Sequence, residues 1–280
     1  MSQLVKGKEQ KQFSFDYNGV SVQFPFPPYD IQKDYMRMVI DSIQNRKNAM
    51  LESPTGTGKT LSLLCSALAA IDFRMTSYIP KQYADHLKNI ETSNSISDKV
   101  AKGMARKISP ISSADVAGRK LIYCSRTHTQ IKQIVREIKK TVYRPKLMVL
   151  ASRDQMCINQ DVRGLPQYAQ RATCHFLGLT CPYHRNVNGD IISDLFHVQP
   201  PRERELMDIE DLYAYGRRRN VCPYYIARHE VSMIESELLL MPYNYIMDYH
   251  IRSRLNLDLQ ECVVIVDEAH NIVKPTKNSK

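Results

Sequence analysis

No apolar run in the 280-residue sequence is long enough to cross a bilayer. The longest, Leu61 to Ile71, is about half of the ~20 residues a spanning helix needs, and serines interrupt it. The first ten residues, Met1 to Gln10, carry no apolar signal core, so neither export nor membrane insertion is expected. Glycine (10) and proline (14) are too sparse for a collagen-like or low-complexity chain, and no internal repeat is present. Seven cysteines include no Cys-x-x-Cys pair, so the common zinc spacings are missing. An odd count without an export signal argues against a disulfide framework and for reduced thiols or a metal site.

What is present reads as an ordinary folded protein, with 43% hydrophobic and 24% charged residues. The length suits about two domains or one large elaborated one. Lys and Arg number 39 against 29 Asp and Glu, a formal net charge of +10. Such a surplus favours polyanionic partners, nucleic acid ahead of an acidic membrane surface, with plain solubility as the alternative reading.

The apolar pattern alternates between two periods. Ala49–Glu52, Lys120–Ser125, Lys146–Leu150, Glu237–Met241 and Cys262–Asp267 are short apolar runs that suit buried parallel strands. Between them, Ile31, Tyr35, Met38, Val39 and Ile43 recur at a helical spacing, as do Ile131, Ile134, Val135, Ile138 and Val142. Strand–helix alternation predicts an α/β layered domain over 19–152 and 235–280, after a flexible start at 1–18. Two stretches break the alternation. Residues 72–118 are rich in Ser, Lys and small residues and are expected to form a mobile insertion. Residues 153–234 hold four of the seven cysteines and the run Arg217-Arg218-Arg219, and are expected to form a small inserted module.

Ser53-Pro-Thr-Gly-Thr-Gly-Lys-Thr60 lies between an apolar strand and an apolar helix, the context a phosphate-binding loop requires. Thr55, Gly56, Thr57 and Gly58 bring backbone amides toward phosphate oxygens, Lys59 adds a charge, and the Thr60 hydroxyl suits Mg²⁺. Ser53 stands where the general pattern has its first glycine. Val263-Val-Ile-Val-Asp-Glu-Ala-His270 delivers two carboxylates to the carboxyl edge of the sheet, where such folds bind ligands. Asp267 is then expected to hold Mg²⁺, Glu268 to orient the attacking water, and His270 to sense the γ-phosphate. Taken alone, Asp267–His270 would be an ordinary strand end. Joined to the loop, it predicts an enzyme that binds and hydrolyses a nucleoside triphosphate.

Gly-Lys-Thr60 together with Asp267-Glu-Ala-His270 resembles the first motor domain of a superfamily-two helicase. Phe24–Gln32, Glu52–Thr60, Ser125-Arg-Thr-His-Thr-Gln130 and Met241-Pro-Tyr-Asn-Tyr245 narrow the likeness to the iron–sulfur DNA helicases of the XPD/Rad3 group. Within that group Leu64–Ala70 is most similar to the Fanconi anaemia J branch, with the telomere-length-regulating branch next. The resemblance runs from about Gly19 to Val273. It implies a RecA-like parallel-sheet motor domain with a small inserted iron–sulfur domain, working on DNA in the nucleus. By the same likeness Gln32 contacts adenine with Tyr29 nearby, and Arg126, Thr127 and His128 lie along the DNA backbone. On the residues alone, Arg126 would be a solvated strand end and His128 a helix start.

Cys157, Cys174, Cys181 and Cys222 are separated by 16, 6 and 40 residues. The spacing alone suits buried thiols. Cys181 and Cys222 each precede proline, and all four fall in the one basic module. The resemblance implies that these four ligate a [4Fe–4S] cluster; in a zinc reading His175 and His184 are spare ligands. Cys65, Cys124 and Cys262 are expected in the core. Beside the cluster, Arg217, Arg218, Arg219 and Arg228 are expected at DNA phosphates and Tyr224 and Tyr225 at unpaired bases, with a solvated basic face as the alternative for the Arg run.

The family also has a second motor domain, which completes the ATP cleft, and an arch domain after Asp267–His270. The sequence ends ten residues past His270, so this chain is expected to be an amino-terminal part that hydrolyses ATP slowly and does not separate strands. The alternative is a non-motor module that binds ATP and nucleic acid without unwinding.

Overall fold

The computed structural model describes residues 12–54, 56–77, 120–197, 204–255, 257, 259 and 262–272. Its first elements are an antiparallel hairpin, β1 (Phe13–Tyr17) and β2 (Val20–Phe24). Alternation turns Phe15, Val20, Val22 and Phe24 inward. Asn18 and Gly19 both take positive φ (46° and 80°), as a two-residue hairpin turn requires. A strand therefore occupies part of the stretch 1–18 expected to be flexible.

Helix α1 (Asp30–Gln44) buries Met36, Val39, Ile40 and Ile43. It packs on α2 (Lys59–Ser77), which also meets β2. Covered on several sides, α2 buries Leu61, Leu64, Cys65, Ala67, Ala69, Ala70 and Ile71. The run Ala49–Glu52 is not a strand, contrary to expectation. Met50 is 97% exposed and only Leu51 of the four packs on the core, so the run gains little from joining the sheet before Ser53-Pro54 ends it.

The sheet is four-stranded and wholly parallel: β3 (Leu121–Ser125), β4 (Leu147–Val149), β5 (Leu238–Pro242) and β6 (Val263–Val266), in the order β4-β5-β3-β6. Leu121 pairs in register with Leu238 on one side and Val263 on the other. Every residue of β3, β4 and β5 is buried, which is why these runs show no alternation. Helix α3 (His128–Lys139) crosses from β3 to β4 and buries Ile131, Ile134, Val135 and Ile138. It stops short of Val142, which is exposed. The expected α/β parallel-sheet class is what the chain adopts.

The cysteine-bearing segment forms the crossover between the neighbouring parallel strands β4 and β5. It is built from short helices: α4 (Arg153–Met156), α5 (Gln160–Arg163), α6 (Gln167–Leu177), α7 (Pro182–Arg185), α8 (Gly189–His197), α9 (Ile209–Arg219), α10 (Pro223–Ile226) and α11 (Glu230–Glu235). Local chemistry starts them. Asn159 and Asp208 accept amides of the first turn of α5 and α9, and prolines occupy the first turns of α7 and α10. Gly216 lets α9 and α10 meet: a Cβ there would stand 2.4 Å from Pro223 Cγ. Ion pairs bind this segment to α3, Lys132 to Glu210 at 2.5 Å and Lys139 to Asp211 at 3.1 Å. After β5, α12 (Asn244–Met247) and α13 (Tyr249–Arg254) lead back toward β6. Of the expected mobile insertion, residues up to 77 continue α2, and the rest lies outside the described residues.

Candidate functional site

The loop before α2 is braced by its own side chains. Ser53 Oγ and Thr57 Oγ1 are 2.7 Å apart, Thr57 Oγ1 donates to the Pro54 carbonyl at 2.9 Å, and Lys59 Nζ reaches back to the Ser53 carbonyl at 2.8 Å. The serine that replaces the usual first glycine thus supplies both a hydroxyl clamp and the carbonyl that holds the lysine. Thr55 lies outside the described residues. Gly56 and Gly58 take φ of 80° and 73°. Gln32 bonds at both ends of its amide: its Oε1 accepts the Tyr29 amide at 3.0 Å and its Nε2 donates to the Thr57 carbonyl at 2.8 Å. Gln32, the residue expected at adenine, thus ties the start of α1 to loop 53–60, and Tyr29 beside it is exposed.

Strands β3 and β6 end beside this loop. The Asp267 amide donates to the Cys124 carbonyl at 3.0 Å, and burial raises its carboxyl above the ordinary range, opposed in part by the nearby Lys59 charge. The Tyr123 hydroxyl faces Asp267 and Thr60 from within the core. It is fully buried, and desolvation together with the Asp267 charge pushes its phenol well above the usual range. A half-buried carboxylate with a threonine hydroxyl and a lysine close by is a surrounding that a hydrated Mg²⁺ fits. The Tyr243 hydroxyl donates to the Asp267 carbonyl and approaches that of Glu268 at 3.2 Å; burial and the two carboxylates push its phenol up to about 12.

Glu268 adopts left-handed backbone angles, φ 49° and ψ 47°, unusual for a side chain of its length. Its Oε2 accepts from Gln130 Nε2 at 3.0 Å, and Asn271 Nδ2 is 3.5 Å away. Asn271 also contacts His270 Nε2 at 2.9 Å and Arg126 Nη1 at 3.5 Å. Of the residues expected along DNA, Arg126 and Thr127 are exposed, and Thr127 caps α3. His128 is half buried, its Nδ1 has no partner, and desolvation lowers its pKa. Gln130 and Asn271 were not singled out from the sequence; their Asn/Gln type carries no signal until the fold brings them to Glu268.

A groove of about 850 Å³ runs between α3 and the cysteine module, lined by His128, Lys132, Arg136, Arg163 and Tyr213 among others. Arg163 and Tyr213 also line the next hollow, which Arg217 borders. The structure thus links one of the three clustered arginines to the His128 side of the sheet. Arg217, Arg218 and Arg219 are exposed at the end of α9. Arg228 is not: its guanidinium donates to the Ala151 carbonyl (2.7 Å), Tyr245 hydroxyl (2.9 Å) and Tyr224 carbonyl (3.2 Å). Tyr224 lies between Arg153 and Arg228, and Tyr225 stacks on His184 with ring centroids 3.5 Å apart. These three residues, expected at DNA, are partly buried and already engaged in contacts within the module and, for Arg228, with the sheet domain.

Cys157, Cys174, Cys181 and Cys222 line one small pocket together with Asn159, His184 and Tyr225. Asn159 Nδ2 is 3.6 Å from Cys181 Sγ, and the Tyr225 hydroxyl is 3.9 Å from Cys174 Sγ. Cys181 and Cys222 sit just before the first turns of α7 and α10, and the Tyr224 and Tyr225 amides face the Cys222 sulfur. Burial pushes that thiol up to about 12, against the lowering effect of the two amides. Among the described residues no group of three or more His, Cys, Asp or Glu already stands at metal-holding spacing. The donor set is nonetheless that of a group held by four thiolates. Cys65 and Cys124 are buried in the sheet domain, with thiols pushed up to about 12, while Cys262 is partly exposed.

The fold is an α/β domain on a parallel sheet, and the DEAD_2 family profile matches residues 123–280. The chain belongs to the DEAD_2 family. It is similar to "Regulator of telomere elongation helicase 1" of Mus musculus, 37% identical over 277 residues, covering 94% of this chain and 21% of the relative. The Homo sapiens protein of that name is 36% identical over 268 residues, covering 94% and 21%. A homolog in Anopheles gambiae is 37% identical over 266 residues, covering 92% and 26%. The chain therefore spans about a fifth to a quarter of the relatives' length. A solved structure titled "XPD_Helicase" superposes with a TM-score of 0.52 at 19% identity, over 89% of this chain and 34% of that one, a likeness of fold. No helix among the described residues is long and apolar enough to cross a membrane.

Proposed function

We propose that this chain is the ATP-binding amino-terminal part of an ATP-dependent DNA helicase that moves 5′ to 3′ and serves DNA repair and genome maintenance in the nucleus. The observation that carries the reading is Lys59, held across loop 53–60, standing close to Asp267 where β6 ends at the carboxyl edge of a parallel sheet. Family membership and the helicase relatives support it. Leu64–Ala70 favours the Fanconi anaemia J branch, and the identity to telomere-regulating helicases favours theirs.

In this reading Ser53, Gly56, Thr57 and Gly58 cradle the phosphates with Thr55, and Lys59 turns from the Ser53 carbonyl to the β- and γ-phosphates. Gln32 contacts adenine, with Tyr29 nearby, and steadies the loop that the nucleotide touches. Thr60 and Asp267 hold Mg²⁺, which neutralises phosphate charge when bound. Glu268 accepts the proton of the attacking water, and His270 with Asn271 follows the γ-phosphate. Residues 19–152 and 235–280 form the motor domain. Residues 153–234 form the iron–sulfur domain, in which Cys157, Cys174, Cys181 and Cys222 hold a [4Fe–4S] cluster that cross-links otherwise short helices. Arg126, Thr127, His128 and the Arg217–Arg219 run border the path of single-stranded or forked DNA. The test is titration of the chain with Mg²⁺ and a non-hydrolysable ATP analogue, and separately with oligo-dT. One nucleotide site and salt-dependent strand binding are expected; no binding of either ligand contradicts the reading.

A further inference from the structure

Gln130 joins the segment after β3 to the Glu268 carboxylate. The orientation of its side-chain amide is fixed by its neighbours. Oε1 faces three donors: the Ser125 hydroxyl at 3.0 Å, the Thr127 amide at 3.1 Å and the Thr127 hydroxyl at 3.3 Å. The other end must therefore be the NH₂ group, and it donates to Glu268 Oε2 at 3.0 Å. Gln130 is thus anchored in two places that belong to different ligands in the reading above. One anchor is the turn Ser125–Thr127, where Ser125 is buried and Arg126 and Thr127 face solvent. The other is the water-activating carboxylate.

Glu268 needs such a hold. A long side chain in left-handed backbone conformation persists only where surrounding contacts over-determine it. Those contacts are Gln130 and Asn271 on the carboxylate and Tyr243 on the carbonyl. The weaker bridge through Asn271 also starts in the same turn, because Asn271 Oδ1 accepts from Arg126 Nη1 at 3.5 Å. Two routes therefore run from residues 125–130 to one carboxylate, and the shorter is a single side chain.

We infer that Gln130 is a positioning residue: it aims the Glu268 carboxylate and reports to it whether a nucleic-acid strand occupies the Arg126–Thr127 turn. A phosphate drawn to the Thr127 amide and hydroxyl competes with Gln130 Oε1 for the same donors. Losing them frees the amide to shift, and the Glu268 carboxylate shifts with it. This inference rests on the assignment of Glu268 to the attacking water and of residues 126–128 to DNA.

Gln130 also closes the capping box of α3 with Thr127, so an alanine there weakens the helix as well as the link. Gln130→Glu separates the two roles. Glutamate at this position keeps the box but sets a carboxylate against Glu268. The experiment is hydrogen–deuterium exchange of the wild type, Q130A and Q130E, free and with oligo-dT, with strand affinity read by fluorescence anisotropy and stability by thermal melting. In the wild type the oligonucleotide should change exchange both at 126–130 and at 266–272. In Q130E, compared at saturating oligo-dT, residues 126–130 should still respond and 266–272 should not, whatever the loss of stability or affinity from the added carboxylate. Q130A should lose the same distant response. A wild-type response at 266–272 in Q130E, or none there in the bound wild type, overturns the inference. Absence of strand binding by the wild type in the anisotropy arm identifies failure of the DNA assignment itself and removes the inference with it.

Discussion

The Gln32 side-chain amide lies 2.7 Å from where a Cβ on Gly58 would stand, and the same nitrogen donates to the Thr57 carbonyl at 2.8 Å. The loop and the start of α1 are thus fitted against each other with no room for a methyl group. Gly58 also has φ of 73°, which costs an L side chain about 1–2 kcal/mol. Gly58→Ala is expected to push Gln32 off the Thr57 carbonyl and weaken binding of a Mg²⁺–ATP analogue by at least about tenfold, in line with the loss of one well-placed hydrogen bond plus strain. Gln32→Ala should weaken it less, because the backbone of the loop can still form. Calorimetric titration of both variants checks the order; equal affinity of Gly58→Ala and wild type contradicts it.

Much of this architecture was readable in advance, and the failures have physical causes. Strands β3, β4 and β5 announced themselves because burial on both faces demands continuous apolar runs, and α3 because its inward stripe repeats every three to four residues. Loop 53–60 and Asp267-Glu268 stand out in the sequence by residue type, and the fold brings Lys59 of that loop close to Asp267. The hairpin was missed although Asn18-Gly19 between alternating runs is a strong turn signal. Ala49–Glu52 was overread, since an apolar run that short does not say how many of its side chains find a surface. The roles of Gln130, Asn271 and Arg153 depend on contacts across more than a hundred residues or between short helices, which no local pattern encodes.

The cysteine assignment predicts that anaerobically purified protein contains iron and absorbs broadly near ~400 nm, as expected for a Cys₄-held cluster. Cys174→Ser and Cys222→Ser should bleach it and expose 153–234 to proteolysis, because the short helices there depend on the shared pocket. Cys65→Ser, deep in α2, should leave the iron content unchanged. Stoichiometric zinc without iron, or equal iron loss in all three variants, contradicts the assignment.

Three exposed arginines at the end of α9 predict a salt effect. Each phosphate contact contributes roughly 0.7 to the slope of log affinity against log salt for single strands. Replacing Arg217, Arg218 and Arg219 together with Ala should flatten that slope by up to about two units. Arg228→Ala should instead lower stability, because its guanidinium ties Ala151, Tyr224 and Tyr245 together. An unchanged slope in the triple variant returns the run to a solvated face.

His128 gives the fold a pH dependence. Desolvation lowers its pKa below the ordinary value of about 6.5, so between the two values the unfolded chain binds more protons than the folded one. The contribution to stability is therefore present in full above about pH 6.5 and is lost as pH falls through the depressed folded value. Urea midpoints at about pH 7.5 and 5.5 should differ more in the wild type than in His128→Gln, which cannot take the proton. Equal differences would remove His128 from the pH dependence.

The division of labour between phosphate binding and water activation is tested most directly by titrating Lys59→Ala and Glu268→Gln with Mg²⁺ and a non-hydrolysable ATP analogue. Lys59 lies across the loop on the Ser53 carbonyl, poised to meet phosphate in the ground state. Its loss should raise the dissociation constant by about tenfold or more, the value of one charge-assisted hydrogen bond. Glu268 contacts Gln130 and Asn271 at the rim of the site, and an isosteric amide should leave affinity within about twofold of wild type. If Glu268→Gln loses nucleotide as completely as Lys59→Ala, Glu268 holds the metal or the fold, and the assignment of the attacking water to it is wrong.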